Sequence, residues 1–558
     1  MNWDLRRINV LCVIFFIILG SNITAQIAPD KYWIQFTDKN NSPFSIDSPN
    51  VFLSQRAIDR RAAQNISITV QDLPVNPVYV TGVKISGNIQ VLTSSKWMNG
   101  LLIETTDTAG LDQIMKLPFV DSVNSRRVER SNKRTHSNKM DVLVERTEKY
   151  QATSFPERGL DYGLSELQNK MLKINYLHDL GYTGSGMVIA VLDAGFIGAD
   201  TTTIIQPLFN NNQILGTWDF VTGQPVDYNQ HSNHGTYVLN CMGANVAGLY
   251  IGTAPDANYW LIRTEDAPTE YVIEEYNWVV GAEFADSVGA DIINSSLGYT
   301  TFDDSTQNHT YSDMDGNTTV ITKGADIAAS KGILVVNSAG NSGNDDWYYI
   351  GAPADGDSVL AIGAVWGDST VTSFSSRGPS SDGRVKPNVM AMGGWVPMAI
   401  GTDSVRYING TSFSGPILAG AAACLWQSRS GFSNMEISEK IEQSCHLYVA
   451  PNDDYGHGIP DFELAYNLIN GMTTLNNNSN ELHVYPNPAN DWIEFQLDKK
   501  AVKLVSLTDL SGKLVMQMDL ESMNSEVARI DLSHLNPGIY FLNQISLEGV
   551  LTYRIIKQ

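Results

Sequence analysis

Apolar and polar positions divide the chain into three regions with different periodicities. Residues 26–128 mix alternating segments such as KYWIQF (31–36) with helix-like spacing, which predicts a small α+β unit. From residue 162 to about 470, continuous apolar segments such as MVIAVL (187–192) and ILVV (333–336) alternate with helical patterns. Because such strands are buried on both faces, they predict an α/β fold with a parallel sheet covered by helices on both sides. Residues 480–558 return to short strands bounded by turn signals, which predicts a small all-β sandwich.

The ends of these regions predict the domain organisation. Arg6 and Arg7 precede an apolar segment at 10–19 and a small-residue exit at Ala25, a layout typical of a secretory signal. No apolar segment is long enough to span about 30 Å of hydrocarbon, so we expect an exported protein without a membrane span. The basic segment RRVERSNKRTHSNK (126–139) and the polar segment TTLNNNSN (473–480) predict linkers. The expected domains are a signal at 1–25, an α+β domain with its basic linker at 26–140, the α/β domain at 150–470 and the sandwich at 480–558.

The charge balance differs between these regions. The 558 residues include 37 Lys and Arg against 60 Asp and Glu, a formal charge of −23, which disfavours binding to nucleic acid or anionic lipid. Residues 151–470 carry 12 basic and 36 acidic side chains, whereas residues 26–150 carry 16 basic and 13 acidic ones. A mildly cationic N-terminal region beside a strongly anionic domain predicts that the two dock, and that salt weakens their attraction.

Metal-binding and disulfide patterns are weak in this sequence. His231 and His234 could join Cys241 as zinc ligands, but a fourth ligand and the HExxH helix pattern are missing. Cys12 falls within the predicted signal. The other cysteines are spaced like neither a disulfide framework nor a zinc site and are interpreted as small buried apolar residues: Cys241, Cys424 and Cys445.

Parallel sheets bind their ligands at the carboxyl ends of the strands, and three polar residues are expected at that edge. Asp193 ends the strand VIAVLD, His234 lies in HSNHGTYV at the start of a helical pattern, and Ser412 lies in NGTSFSGP before an apolar helix. Each alone has an ordinary interpretation as a turn residue, a hydrogen-bonded histidine or a helix cap. Acyl transfer, however, needs a hydroxyl beside an imidazole base that a carboxylate orients, and together these residues supply it.

With these motifs in this order, the sequence resembles the subtilisin-like serine protease family. The resemblance covers about 300 residues and includes GYTGSGMVIAVLDAGF, HSNHGTYV, INSSLGY, VNSAGNSG, TSFSSRGP and NGTSFSGP. The chain order Asp, His, Ser is that of subtilisin. The resemblance implies that Ser412 is the nucleophile, that His234 is the general base and then acid, and that Asp193 orients the imidazole. The sequence departs from common family patterns at Ala194 and Phe413, and neither change removes a catalytic group.

Asn341 follows the apolar strand at 333–336 and two small residues, so its amide could reach over the sheet edge. An Asn near glycines also suits an ordinary turn. The resemblance implies instead that Asn341 donates to the oxyanion together with the backbone N–H of Ser412. It further implies substrate-pocket walls of small residues, along which an extended peptide pairs through its backbone: Ser296, Leu297, Gly298, Ala339 and Gly340.

The flanking regions carry resemblances of their own. The N-terminal α+β unit is similar to a protease propeptide, and the basic segment at 126–139 is the expected region of maturation, because proteases cut exposed linkers. The segments VYPNPANDW, LTDLSGKLV, NPGIYFLN and RIIKQ resemble the C-terminal sorting domain of the type IX secretion pathway. An ordinary sandwich that binds carbohydrate or protein is the alternative interpretation of this tail.

Together these features predict a secreted or cell-surface serine endopeptidase that is made as a zymogen and works through an acyl-enzyme. Its expected partners are protein or peptide substrates, its own propeptide and the type IX secretion machinery. No cofactor is required for the chemistry. A catalytically inactive cell-surface adhesin on the same scaffold is the alternative hypothesis. One acidic patch suits either a structural calcium ion or a solvated loop: Asp303, Asp304, Asp313 and Asp315.

Overall fold

The computed structural model describes residues 27–123, 143–149, 160–401, 404–470 and 484–558, the last range with gaps at 497–501, 510–512, 520–526 and 547–548. The predicted signal at 1–25 and the predicted linkers at 126–139 and 473–480 lie outside these residues. Of the described helices, none combines the length and the apolar character that a membrane crossing needs.

The N-terminal region is an α+β unit, as its pattern predicts. Ser54 starts the first helix because its hydroxyl accepts the N–H of Ala57, a typical N-cap. The elements are β1 (Lys31–Phe36), α1 (Gln55–Ala63), α2 (Pro77–Lys84), β2 (Gln90–Ser95), β3 (Gly100–Glu104), α3 (Thr108–Ile114) and β4 (Val120–Val123). The strands form one antiparallel sheet in the order β2-β3-β1-β4.

The middle of the chain alternates strands and helices. The elements up to the fourth strand of the central sheet are β5 (Leu143–Lys149), α4 (Glu166–Met171), α5 (Ile174–Asp179), β6 (Val188–Asp193), α6 (Gln206–Asn210), β7 (Ile214–Asp219), α7 (His234–Gly243), β8 (Asn245–Val246), β9 (Tyr250–Ile251), β10 (Asn258–Arg263), α8 (Ile273–Val288) and β11 (Ile292–Ser295). Those that follow are α9 (Val320–Ser330), β12 (Leu334–Ser338), β13 (Val359–Val365), β14 (Val389–Met392), β15 (Val396–Ile400), β16 (Ser404–Asn409), α10 (Thr411–Gln427), α11 (Asn434–Gln443) and α12 (Phe462–Asn470).

Seven of these strands form one parallel sheet in the order β14-β13-β12-β11-β6-β10-β7. Successive residues of β6 point to opposite faces. Ile189 and Val191 belong to a core shared with α7 and α10, and Ala190 and Leu192 belong to a core shared with α8 and α9. Burial on both faces explains the continuous apolar sequence of β6, and the predicted α/β fold class is confirmed.

A second sheet is antiparallel and has the order β15-β16-β5. β5 precedes residue 150, where the α/β domain is predicted to begin, yet it pairs with β16 of that domain. The register places Lys149 opposite Ser404 and Leu143 opposite Asn409. Because α10 begins at Thr411, this sheet leads directly into the helix that carries Ser412.

The C-terminal region is all β, as its pattern predicts. Its strands are β17 (Trp492–Gln496), β18 (Val502–Asp509), β19 (Leu514–Asp519), β20 (Val527–Asp531), β21 (Gly538–Ser546) and β22 (Gly549–Lys557). They form two antiparallel sheets, β17-β20 and β19-β18-β21-β22. One core joins the two sheets, with Phe495 and Ile530 from the first and Leu507 and Leu542 from the second.

The N-terminal region packs on the end of α8 through buried ion pairs. Arg60 and Arg61 of α1 lie 2.6 and 2.7 Å from the carboxylate of Asp286, and Lys96 lies 3.3 Å from it. Burial alone would raise the pKa of Asp286, but the charges of Lys96, Arg60 and Arg61 lower it to about 2. Glu283 accepts the backbone N–H of Lys96 at 2.8 Å. The two regions are therefore in contact, as the charge balance predicts. The ion pairs are buried, so salt should screen them little, which differs from the expectation that salt weakens the attraction.

Candidate active site

Asp193 and His234 meet at the carboxyl edge of the central sheet, as the last residue of β6 and the first of α7. Nδ1 of the imidazole lies 2.9 Å from Oδ1 and 3.0 Å from Oδ2 of Asp193, and both side chains are buried. Gly235 permits this close packing, since a Cβ there would lie 2.6 Å from the carbonyl oxygen of Gly195. A carboxylate on Nδ1 favours the tautomer that leaves Nε2 free to accept a proton.

The charge around His234 favours its protonated form. Burial alone would lower the pKa of His234, but the negative charge and hydrogen bond of Asp193, with a further contribution from Glu265, raise it above its ordinary value. The imidazole is therefore a stronger base than a free histidine.

Ser412 is the second residue of α10 and has 7% of its surface exposed. Its backbone carbonyl accepts the hydroxyl of Ser296 at 2.9 Å, which ties the start of α10 to the end of β11. The ring of the next residue, Phe413, lies 6.1 Å from the imidazole of His234. The helix therefore brings Ser412 to the edge that holds the Asp193–His234 pair. Within the described ranges no hydrogen bond joins Ser412 to His234, and such contacts commonly tighten only when substrate binds.

The side-chain oxygen of Asn341 accepts hydrogen bonds that fix the orientation of the side chain, and the amide nitrogen can then donate elsewhere. Oδ1 accepts both the N–H and the hydroxyl of Thr411, each at 2.9 Å. Nδ2 lies 3.7 Å from the position that a Cβ would take on Gly410, close to the start of α10. The preceding Gly340 has a φ of 108°, a conformation that favours glycine, and its N–H reaches the Thr411 hydroxyl at 3.3 Å. An amide donor thus lies beside the first turn of α10, where the N–H of Ser412 has no helical carbonyl four residues earlier to bind.

The predicted pocket walls follow two neighbouring strands, β11 and β12. The amide of Asn337, in β12, donates to the carbonyl of Leu297 at 3.0 Å and so joins the ends of the two strands. The hydroxyl of Ser338 donates to the carbonyl of Thr411 at 2.9 Å. The structure therefore brings all five predicted wall residues to the strand ends that hold the start of α10: Ser296, Leu297, Gly298, Ala339 and Gly340.

The predicted acidic patch does not gather into one cluster. Carboxylates of this patch accept backbone N–H groups two or three residues away along the chain, as in ordinary loop caps: Asp304, Asp313 and Asp315. In the part of the chain that the structure describes, a different set of carboxylates has oxygens within 4.8 Å of one another, and these could hold a cation: Glu265, Glu270 and Glu274. The alternative zinc ligands form no such group among the described residues: His231, His234 and Cys241.

Cys241, Cys424 and Cys445 are free and buried, as predicted. Burial raises the pKa of each thiol above its usual value. All three are therefore protonated at neutral pH and act as small apolar core residues.

Comparisons with known proteins match three consecutive parts of the chain. Residues 31–141 match the peptidase S8 propeptide domain of Bacteroidota, residues 184–458 the subtilase family, and residues 483–558 the secretion system C-terminal sorting domain. Subtilisin E of Bacillus subtilis (strain 168) is 30% identical over 312 residues, which are 55% of this chain and 71% of that protein. The chain belongs to the subtilase family.

A subtilisin of Bacillus pumilus is also 30% identical over 312 residues, which are 99% of that protein. Among solved structures, MycP1 from the ESX-1 type VII secretion system is 20% identical, with a TM-score of 0.44 and coverage of 57% of this chain and 91% of that one. This subtilase is a serine endopeptidase with an N-terminal propeptide. Its type IX sorting domain indicates secretion and attachment to the cell surface.

The sequence did not point to several residues that support the site. The N–H and the hydroxyl of Thr411 both donate to Asn341. In the sequence, the position of Thr411 beside Ser412 in NGTSFSGP is what could have indicated this role. The hydroxyl of Tyr299 donates to the buried carboxylate of Glu265 at 2.6 Å, and the charge of Glu265 contributes to the raised pKa of His234. Thr411 and Tyr299 lie in the motifs NGTSFSGP and INSSLGY, but neither motif indicates these contacts.

Proposed function

We propose that this subtilase is made as an inactive zymogen and, once its propeptide is removed, hydrolyses peptide bonds through Ser412, His234 and Asp193. The observation that carries the proposal is the buried Asp193–His234 pair at the sheet edge to which α10 brings Ser412. The homology to subtilisins supports the same reaction class.

The first half-reaction makes an acyl-enzyme. Asp193 keeps the proton of the imidazole on Nδ1, so Nε2 of His234 takes the hydroxyl proton of Ser412 as Oγ attacks the carbonyl carbon. The imidazolium that forms is stabilised by the buried carboxylate 2.9 Å away. His234 then gives the proton to the leaving amine, the C–N bond breaks, and the acyl group stays on Ser412. In the second half-reaction a water molecule replaces the amine and releases the carboxylic acid.

The negative oxygen of the tetrahedral intermediate needs donors that are already in place. Nδ2 of Asn341 and the backbone N–H of Ser412 are the candidates, because Oδ1 of Asn341 is fixed by Thr411 and the N–H of Ser412 lies in the first turn of α10, with no helical carbonyl four residues earlier. Preorganised donors of this kind stabilise the transition state without any rearrangement during the reaction.

Substrates are protein segments in an extended conformation. The strand ends at Ser296–Gly298 and Ala339–Gly340 offer backbone to both sides of such a segment, and their small side chains leave room for it. The acidic surplus of residues 151–470 favours neutral or cationic segments over acidic ones.

The two flanking domains control when and where the enzyme acts. The propeptide stays docked on α8 through Asp286 until it is destroyed.

The C-terminal domain is the part that the type IX machinery engages. Deletion of the residues after Asn480 should leave proteolysis intact but retain the protein in the periplasm, and normal export of the truncated protein would contradict this role.

A casein zymogram of the full-length secreted protein tests the activity. The wild type should clear casein after maturation, and Ser412→Ala should not. A folded, matured wild type that clears no casein at any pH would contradict the proposal and favour an inactive adhesin. Clearing by Ser412→Ala at the wild-type rate would remove Ser412 from the reaction.

A further inference from the structure

A long loop connects the predicted substrate pocket to α9. This pocket loop runs from residue 299 to residue 319, between the wall at Ser296–Gly298 and the first residue of α9. Its first residue, Tyr299, exchanges backbone hydrogen bonds with Ala352, at 2.8 and 3.3 Å. The loop is therefore held where it leaves the wall, and the position of its remaining residues depends on contacts further along the chain.

His309 connects the pocket loop to α8. Its Nε2 lies 2.5 Å from Oε1 of Glu275, the third residue of α8. The side chain of Glu275 is 1% exposed and that of His309 is 16% exposed, so little water reaches this contact. The backbone N–H of His309 donates to the carbonyl of Thr300 at 2.8 Å, and its ring packs edge-on against Phe302 at 5.3 Å between centroids. One histidine thus joins α8 to the part of the loop that follows the wall.

The same carboxylate also binds the start of α9. Oε2 of Glu275 accepts the N–H groups of Val320 and Ile321, the first two residues of α9, at 3.1 and 3.2 Å. These are two of the four N–H groups that a helix leaves unsatisfied at its start. Because His309 and α9 share one carboxylate, the loop is fixed to α8 both near the wall and at its far end.

Carboxylates act on His309 from three parts of the described structure. Burial alone would lower the pKa of His309, but the hydrogen bond and charge of Glu275 raise it above its ordinary value. The charges of Asp313, in the pocket loop, and of Asp355, before β13, act in the same direction. Such a pair contributes its full stabilisation below the ordinary histidine pKa of about 6.5 and loses it as the pH rises through the raised value. The contact is therefore strongest in weakly acidic solution.

We propose that His309 is a positioning residue for the substrate pocket: when protonated it holds the pocket loop against α8, and its deprotonation loosens the loop beside the wall. This inference rests on the proposed function and adds a pH-dependent control of substrate affinity. Within the described ranges His309 bonds to none of the triad residues, so the chemistry at Ser412 is separate from this contact. The expected signature is a change in KM while kcat stays constant, once His234 is deprotonated.

Steady-state hydrolysis by the secreted, matured enzyme tests the inference with a peptide substrate that has no titratable groups. Between about pH 6.5 and about pH 9, KM of the wild type should rise about 5-fold or more, the lower end of typical coupling between two sites. In His309→Gln the rise should disappear, because the amide can still donate to Glu275 but does not titrate. His446→Gln is the matched control and should leave the KM profile unchanged, since His446 is exposed and bonds to Ile459 in another segment.

Amide exchange provides a second measurement that requires no variant to fold. After correction for the intrinsic rate at each pH, exchange at residues 299–310 of the wild type should accelerate over the same pH range. Exchange in α10 should not accelerate, because that helix has no contact with His309 among those described.

The outcomes distinguish this inference from the proposed function. A KM that rises with pH in the wild type and not in His309→Gln, together with faster exchange in the pocket loop, supports the inference. A wild-type KM that stays constant, or a rise that persists in His309→Gln, overturns the inference and leaves the protease function standing. A folded, matured wild type that hydrolyses no peptide overturns the proposed function, and the exchange comparison alone then decides whether His309 holds the loop.

Discussion

Two buried carboxylates in this protein have different partners. Asp193 and Asp286 both have 0% of their surface exposed, and both are held by hydrogen bonds from cationic or potentially cationic groups. Asp193 faces one imidazole, whereas Asp286 faces the side chains of Arg60, Arg61 and Lys96. The number and kind of partners differ, although burial is the same.

The chemistry of these partners determines what each carboxylate is suited to do. The partner of Asp193 can gain and lose a proton near neutral pH, so the pair can store the proton of Ser412 for part of each turnover. Arg60 and Arg61 stay charged at neutral pH, and together with Lys96 they lower the pKa of Asp286 to about 2. The first arrangement is suited to catalysis, and the second to a contact that persists until the propeptide is destroyed.

Removal of the charge of Asp193 should lower kcat more than any other change considered. In Asp193→Asn, the amide no longer fixes the imidazole tautomer or stabilises the imidazolium, and we expect kcat to fall about 10⁴-fold. Steady-state hydrolysis of a peptide substrate by the matured enzyme measures the loss. Asp286→Asn is the matched control and should leave kcat of the matured enzyme unchanged, since it lies at the propeptide interface. An equal loss in both variants would contradict the division of roles.

Removal of the charge of Asp286 should instead weaken propeptide docking. Asp286→Asn leaves Arg60, Arg61 and Lys96 buried without their shared partner, a change that costs about 3–5 kcal/mol. In the uncut Ser412→Ala zymogen, amide exchange in α1 should therefore accelerate by at least about 10²-fold. The exposed Asp59 on the same helix is the control, and Asp59→Asn should change exchange little. Because the pairs are buried, the effect should persist in 1 M salt; its disappearance there would contradict a buried contact.

Loss of the proposed oxyanion donor, Asn341, should lower kcat less than loss of the Asp193 carboxylate. Asn341→Ala removes Nδ2 and the acceptor of Thr411, and we expect kcat to fall about 10²- to 10³-fold with little change in KM, the range known for this kind of loss in subtilisin. Thr411→Val, which removes only the hydroxyl on Asn341, should have a smaller effect. An unchanged kcat in Asn341→Ala would exclude it from the site.

The smallest expected effect is a shift in the pH dependence of kcat/KM, which should occur in Asp193→Asn and not in Asp286→Asn. Because the pKa of His234 is raised, the base is protonated and inactive below it, so the acidic limb of kcat/KM should lie above the ordinary histidine value of about 6.5. In Asp193→Asn the limb of the residual activity should move to lower pH, whereas Asp286→Asn should leave it in place. A wild-type limb below pH 6 would contradict the coupling of His234 to Asp193.

The sequence predicted the positions of residues that lie at strand ends and in contiguous motifs. Asp193 ends β6, His234 begins α7 and Ser412 lies in the first turn of α10, so their approach to one sheet edge follows from the parallel fold. Asn341 and the small pocket residues follow the ends of neighbouring strands for the same reason.

The contacts between distant segments could not be predicted. Asp286 lies inside the apolar pattern of α8 and meets Arg61 across 225 residues of sequence, so no local pattern marks it. β5 reads LVERTEK, a short and mostly polar strand that pairs with β16, and its sequence does not indicate that pairing. Total charge indicated that the propeptide would dock, but the residues responsible emerge only from packing.

Covalent labelling of the matured enzyme tests the central claim most directly. The wild type is treated with an organophosphate that reacts with activated serines, and the modified residue is located by peptide mass spectrometry. The account predicts one adduct per chain, on Ser412, with none in Ser412→Ala and a strongly slowed reaction in Asp193→Asn. An adduct on another serine, or none on a matured and folded wild type, would contradict catalysis by Ser412.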